Sequence, residues 1–268
     1  MGDVASGALI ELPNNLEAAL RANKAAGRKS LVTYLTAGLG DWTTMIRAAA
    51  DAGADAIEVG IPFSDPVMDG PVIQAANDRA LADGITPPAV LDALVDLDAG
   101  VPLAVMTYAN LVYRFGWERF ASRCAAVGVT GAIVPDLPLG EVGPWKSAAD
   151  AAGVQTVLLA APTTPDDRLP LICDASRGFL YAVGLLGITG ERDSLAASAT
   201  VIARRVKDVT DLPVLVGVGI GSPAQAVEVC EVADGVVIGS AVVRRMLEDG
   251  TAQSVGDLVA GYRNALDR

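Results

Sequence analysis

The sequence predicts an α/β fold in which one parallel sheet closes into a (β/α)8 barrel, and three observations carry that prediction. Eight apolar runs rich in Val, Ile and Leu recur along the 268 residues. Ala-rich stretches with helix-start signals lie between them. Several of these stretches end on small residues and a glycine just ahead of the next run, so one supersecondary unit repeats. Near-continuous apolar runs are what a parallel sheet covered on both faces requires. Eight strand–helix units in about 250 residues match the TIM-barrel architecture. Residues 1–268 are read as a single barrel domain, with residues 1–14 a loose tail and an extra N-terminal helix before the first strand.

In chain order the runs are Leu31–Leu35, Ala56–Ile61, Leu103–Tyr108, Gly131–Val134, Thr156–Ala160, Phe179–Val183, Val214–Val218 and Gly235–Ile238. Thr86-Pro87, Thr164-Pro165 and Ser222-Pro223 each place a capping hydroxyl before a proline suited to the first helical position. Ala52-Gly53, Ala126-Val127-Gly128 and Ala152-Gly153 read as helix ends. A doubly wound sheet is the competing topology, because Gly217-Val218-Gly219-Ile220-Gly221-Ser222 follows a strand and opens a helix as a dinucleotide fingerprint would. Ser222 stands at the third fingerprint position, however, and this unit is the seventh rather than the first. The closed barrel is the better reading.

Composition narrows the chemistry. With 51% apolar residues and a mean hydropathy of +0.40, the chain can bury a large core, built mostly from aliphatic side chains because only 4% of residues are aromatic. Acidic residues number 32 against 20 basic, a net charge of −12 that repels nucleic-acid phosphates. The sequence contains no histidine. That excludes Ser-His-Asp triads, Cys-His dyads and His-ligated metals, and leaves proton transfer to carboxylates, tyrosines, lysines or thiols. Cys124, Cys173 and Cys230 lack metal-type spacing, so no metal site is expected and a reducing cytoplasm is the simplest setting. No run reaches the ~18 apolar residues of a membrane span, and no signal peptide is visible.

The loops after barrel strands build active sites. In Ala56-Ile57-Glu58-Val59-Gly60-Ile61-Pro62, Glu58 points opposite to Ile57 and Val59, and because neither face of a strand in a helix-covered barrel meets water, its carboxylate is expected in the interior. None of the eight runs contains a Lys or Arg, so desolvation should lift its pKa toward the range useful for proton transfer. The following loop, Pro62 to Pro71, holds Asp65 and Asp69 between three prolines. Asp136, closing the fourth strand, is a further candidate by position. Gly219 and Gly221 after the seventh strand, with Gly239-Ser240 opening the last strand's helix, offer backbone N–H groups to a phosphate. Gly187-Ile188-Thr189-Gly190 could close over that site as a lid.

These residues resemble the tryptophan synthase alpha subunit family. The signature Glu58-Val59-Gly60-Ile61-Pro62-Phe63-Ser64-Asp65-Pro66, continuing to Asp69-Gly70-Pro71, carries the likeness. Met106-Thr107-Tyr108-Ala109-Asn110, Pro135-Asp136-Leu137-Pro138, Gly187-Ile188-Thr189-Gly190, Gly217-Val218-Gly219-Ile220 and Gly239-Ser240-Ala241 follow in the family's order. The resemblance implies a lyase that cleaves indole-3-glycerol phosphate to indole and glyceraldehyde 3-phosphate by a retro-aldol reaction. By motif, Glu58 and Asp69 become the catalytic carboxylates. Tyr181 and Thr189 frame the site, Tyr108, Met106, Ile133 and Val218 line the indole slot, and Gly190, Gly219, Gly239 and Ser240 cradle the phosphate. It also implies a beta-subunit partner in an alpha-beta-beta-alpha heterotetramer, docked against Pro62, Asp65 and Pro66. Pyridoxal phosphate would belong to that partner, with no cofactor in this chain. Two departures are visible: Leu39-Gly40-Asp41 replaces a common Asp-Pro, and Gly184-Leu185-Leu186 replaces a common serine-arginine pair. A stand-alone lyase and a non-catalytic activator of a beta subunit are the alternatives. Retention of Glu58 and Asp69 argues against the activator.

Overall fold

The computed structural model describes residues 14–184, 192–217 and 219–268. Its strands are β1 (Ser30–Thr36), β2 (Ala56–Gly60), β3 (Leu103–Met106), β4 (Val129–Ile133), β5 (Gln155–Ala160), β6 (Leu180–Ala182), β7 (Val214–Val216) and β8 (Gly235–Ile238). All pair in parallel, each with its sequence neighbours, and β8 returns to β1 with Ser30 opposite Gly235 and Thr33 opposite Ile238. That closure overturns the doubly wound alternative. Around the sheet lie α1 (Leu16–Ala25), α2 (Trp42–Asp51), α3 (Pro71–Ala82), α4 (Pro87–Ala93), α5 (Ala109–Phe115) and α6 (Trp117–Ala126). The second half adds α7 (Gly143–Ala152), α8 (Leu169–Ala175), α9 (Arg192–Lys207), α10 (Pro223–Cys230), α11 (Ser240–Glu248) and α12 (Ala252–Leu266). Among the described residues no helix is long and apolar enough to cross a membrane.

Two of the three hydroxyl–proline signals start helices as read. Thr86 accepts from the Ala89 N–H to open α4, and Ser222 accepts from the Gln225 N–H to open α10. Thr164-Pro165 does not. The Thr164 hydroxyl turns back to accept from the Ala161 N–H at 3.0 Å, and a tight turn follows before α8 begins at Leu169. A hydroxyl spent on the preceding residue is not available to cap the turn ahead. The helix–glycine–strand phrase holds: Gly153 closes α7 in the left-handed conformation, and Gly53 and Gly128 also have positive φ.

Alternation along each strand divides the core in two. Outward residues such as Ile57, Val59 and Val105 pack beneath the helices. Inward residues, among them Val32, Ala56, Ala104, Ile133, Val157 and Leu215, fill the barrel together with Leu16 and Leu20 of α1. The extra N-terminal helix thus plugs the barrel floor. Leu16 presses so closely on Gly131 that a Cβ there would lie 2.6 Å from its Cδ2. Gln155 accepts from the Glu17 N–H at 2.9 Å, and Glu17 accepts from the Gly178 N–H at 3.0 Å. The Asn14 carbonyl, placed in the tail by the sequence reading, accepts from the Thr130 hydroxyl at 3.2 Å. Charged pairs gather at this same end. Asp55 pairs with Arg28 and Arg263, and Asp234 pairs with Lys207 at 2.6 Å while accepting from the Val214 N–H at 3.0 Å.

Leu16→Ala should therefore cost about 3 kcal/mol, the scale for emptying a fully buried leucine site. Urea unfolding measures this loss. Turnover per folded molecule should stay at the parent level, because the plug lies at the opposite end of the barrel from the loops that follow the strands.

Candidate active site

Glu58 stands in the middle of β2, between two residues that face the helices, so the pleat sends it inward. It is 1% exposed, and neither carboxylate oxygen has a hydrogen-bond partner among the described residues. Burial without a cation pushes its pKa up to about 8, with the nearby charge of Asp69 adding to the shift. Tyr34 sits beside it in the β1–β2 register. The Tyr34 and Tyr181 rings lie across glycines at the strand ends. A Cβ on Gly60 would be 2.0 Å from the Tyr34 hydroxyl, and one on Gly217 would be 2.2 Å from that of Tyr181. Both phenols are held protonated, chiefly by burial, with the charges of Glu58 and Asp69 contributing. Tyr181 was legible by motif. Tyr34 was not singled out, although its two-residue spacing from Val32 marks it as inward-facing.

Asp69 ends the loop after β2, immediately before Gly70 caps α3 and Pro71 opens it. Its carboxylate accepts from Asn77 Nδ2 at 3.1 Å, and its carbonyl accepts from Gln74 Nε2 at 2.7 Å. The Tyr108 hydroxyl lies within hydrogen-bonding reach of the same carboxylate and accepts from the Met68 N–H at 3.1 Å. Burial raises the Asp69 pKa, opposed by the hydrogen bonds from Asn77 and Tyr108. Tyr108 is pushed up to about 12, first by burial and then by the Asp69 charge. The Phe63 ring stacks on Tyr108 with centroids 5.0 Å apart. In the same loop Pro62 is buried, Pro66 half-buried and Asp65 exposed, with the Ser64 hydroxyl donating to Asp65 at 2.6 Å. Val67 and Met68, which the sequence reading passed over, are exposed at 74% and 46%. Asp136 accepts from the Ala109 N–H at 2.8 Å, so its carboxylate serves the start of α5.

Met106 and Ile133 stand side by side at the ends of β3 and β4. Thr189, Gly190 and Val218, with the rest of the Gly187–Gly190 segment, lie outside the described residues. Across the barrel mouth, Gly239 caps α11 without any side-chain hydrogen bond, and the exposed Ser240 is the first helical residue. That leaves first-turn N–H groups free of a side-chain cap and supported by the helix dipole, the setting in which a phosphate binds. Gly219 adopts φ +83, whereas the Gly221 N–H donates to Gln225 Oε1 at 2.8 Å. Asp41, at the first departure from the family pattern, caps α2 by accepting from the Thr44 N–H and hydroxyl.

A family model described as tryptophan synthase alpha chain matches residues 20–264. The chain is 47% identical over 257 residues to the tryptophan synthase alpha chain of Thermobifida fusca, covering 90% of this chain and 95% of that one. To the alpha chain of Lactiplantibacillus plantarum it is 40% identical over 245 residues, with 89% and 93% coverage. Among solved structures, tryptophan synthase from Mycobacterium tuberculosis matches with a TM-score of 0.86 and 35% identity, over 96% of this chain and 99% of that one. Tryptophan synthase subunit alpha from Legionella pneumophila matches at 0.84 and 32%, over 95% and 98%.

The buried Glu58 makes stability depend on pH. The folded protein holds this proton up to about pH 8, while a carboxyl in the unfolded chain releases it near 4.5. Between those values the folded state binds the extra proton, so its contribution to stability is lost as pH rises through the window. Glu58→Gln removes that dependence. Melting temperatures of parent and variant, measured from pH 5 to 8, should diverge with rising pH in favour of the variant. A constant offset would mean that Glu58 does not titrate there.

Proposed function

The chain belongs to the tryptophan synthase alpha chain family, and on that premise we propose which of its residues carry out the family's reaction. That reaction is the lyase cleavage of indole-3-glycerol phosphate to indole and glyceraldehyde 3-phosphate in tryptophan biosynthesis. The alpha chain needs no cofactor, and pyridoxal phosphate resides in the beta subunit. The single observation that carries the assignment is Glu58, a carboxyl buried in the barrel with no hydrogen-bond partner among the described residues and close to Asp69.

Glu58, protonated at neutral pH, donates its proton to indole C3. The ring carbon becomes tetrahedral and positive charge develops on the ring nitrogen. Asp69 accepts a hydrogen bond from the ring N–H and stabilises that charge. Glu58, now ionised, takes the proton from the hydroxyl on the side-chain carbon bonded to C3. The O–H electron pair forms the aldehyde C=O, and the C–C pair returns to the ring to restore indole. One carboxyl thus gives and recovers one proton, and no net oxidation or reduction occurs. Met106, Ile133 and Tyr108, with Val218, form the slot for the indole, while Tyr181 and Thr189 frame the reacting centre. Gly219, Gly239 and Ser240, joined by Gly190, take the phosphate.

The likeness to tryptophan synthase structures from Mycobacterium tuberculosis supports a beta-subunit partner. We assign the docking surface to the loop that carries Pro62, Asp65 and Pro66, within an alpha-beta-beta-alpha heterotetramer of the cytoplasm. The exposed Val67 and Met68 add apolar area to that loop.

Purified chain should release indole from indole-3-glycerol phosphate, and Glu58→Gln should reduce turnover below one per cent of the parent, about the scale of losing a general acid–base group. Parent activity should fall above pH 8 as Glu58 loses its proton. Retained turnover in the variant would remove Glu58 from proton transfer.

Adding beta subunit should raise parent turnover by about 5- to 150-fold, the usual range of coupling between sites. Substituting Asp65 or Pro66 should shift that titration to higher beta concentrations while basal activity changes less. Fast cleavage by the parent alone, with no beta binding, would favour the stand-alone lyase.

A further inference from the structure

Asn77 belongs to α3, eight residues beyond Asp69, and is 2% exposed. A polar amide in so dry a place needs partners for both its ends. Only one end has one. Nδ2 donates to the Asp69 carboxylate at 3.1 Å, while Oδ1 is buried with no hydrogen-bond partner among the described residues. The opposite orientation would set an amide oxygen against an acceptor-only carboxylate oxygen at the same distance, so the ionised state of Asp69 dictates which end faces it. Gln74, one turn earlier on the same helix, holds the Asp69 carbonyl. Main chain and side chain of Asp69 are therefore both tied to α3.

We infer that Asn77 is a positioning residue for the lyase reaction: it aims the Asp69 carboxylate and keeps it ionised while substrate is bound. The inference rests on the assignment of Asp69 under the proposed function. Every other titratable group facing Asp69 among the described residues, Glu58, Tyr34, Tyr108 and Tyr181, is an acid, and no cation is among them. Burial favours the neutral carboxyl. The Asn77 and Tyr108 hydrogen bonds are what oppose it, and Asn77 supplies its bond with no proton of its own to lose. Should Asp69 take up a proton, a half-turn of the amide would present Oδ1 to the new O–H, so Asn77 can accompany either state without leaving its place.

Asn77→Leu preserves bulk and removes a buried carbonyl oxygen that lacks a partner, so folding is expected to survive. Asn77→Asp keeps the shape but sets a second carboxyl against the first. The measurement is the pH profile of kcat for both variants, alone and in an Asp69→Asn background, with melting temperature as the control for folding. In Asn77→Leu, kcat should fall about tenfold with KM little changed, and the acid limb should move up by about one pH unit. In Asn77→Asp the limb should move further. In the Asp69→Asn background, where activity should already be reduced about 10²–10³-fold, Asn77→Leu should change nothing more, because the two residues act as one unit. A parent-like profile in Asn77→Leu, beside an impaired Asp69→Asn, would overturn the positioning role alone. The same tenfold loss in both backgrounds would reduce Asn77 to a packing residue. Full activity in Asp69→Asn would overturn the Asp69 assignment and the positioning role together.

Discussion

The site depends on a carboxyl buried without a cation. Glu58 lies inside a barrel whose strands carry no Lys or Arg, and neither of its oxygens is hydrogen-bonded among the described residues. An ionised carboxylate there would cost several kcal/mol. The proton is therefore retained at neutral pH, as the proposed transfer to the indole carbon requires. Among the described residues, Arg28, Lys207 and Arg263 pair with Asp55 and Asp234 at the end where the strands begin. Keeping these cations away from Glu58 suits it to the proposed role of acid in a protein without histidine.

The surroundings of Glu58 follow from that constraint. Its neighbours include two tyrosines whose hydroxyls stay neutral, and each ring fits only because a glycine lies beneath it. Gly60 and Gly217 act as recesses against which the phenols of Tyr34 and Tyr181 lie. Asp69 reaches the same pocket from a loop, which is a less rigid support than a strand. Its rigidity comes from α3, through Gln74 and Asn77, and from Tyr108, itself backed by the stacked Phe63. One carboxyl is thus fixed by the sheet and the other by a helix start.

The fold was legible because apolar run length and helix-start chemistry are local properties. Ser222-Pro223 and Thr86-Pro87 capped their helices, and the burial of Glu58 followed from its place on a strand covered on both faces. Thr164-Pro165 shows where local reading stops. Its hydroxyl had two competing backbone donors, and only the path of the chain after β5 determined that the earlier one, Ala161, would win. Asp136 and Gly221 were overread for the same reason, since each offers a group to a substrate that the fold uses internally, for Ala109 and through Gln225. Tyr34, Gln74 and Asn77 were missed because their importance lies in contacts made across elements. Nothing in the neighbouring residues says that an asparagine on the second turn of a helix will meet an aspartate eight residues back.

In the proposed reaction the two carboxyls also need opposite protonation states at one pH, although they share one site and the charge of Asp69 raises the cost of ionising Glu58. Environment must separate them. Glu58 has burial and, among the described residues, no donor, so it keeps its proton. Asp69 is less deeply buried, adjoins the start of α3 and receives donors from Asn77 and Tyr108, all of which favour the anion. The first ionisation then reinforces the division, because a charged Asp69 makes it harder for Glu58 to lose its proton. Acid and anion are therefore distinguished by what surrounds each: among the described residues nothing donates to the Glu58 carboxyl, whereas Asn77 and Tyr108 both support the Asp69 carboxylate.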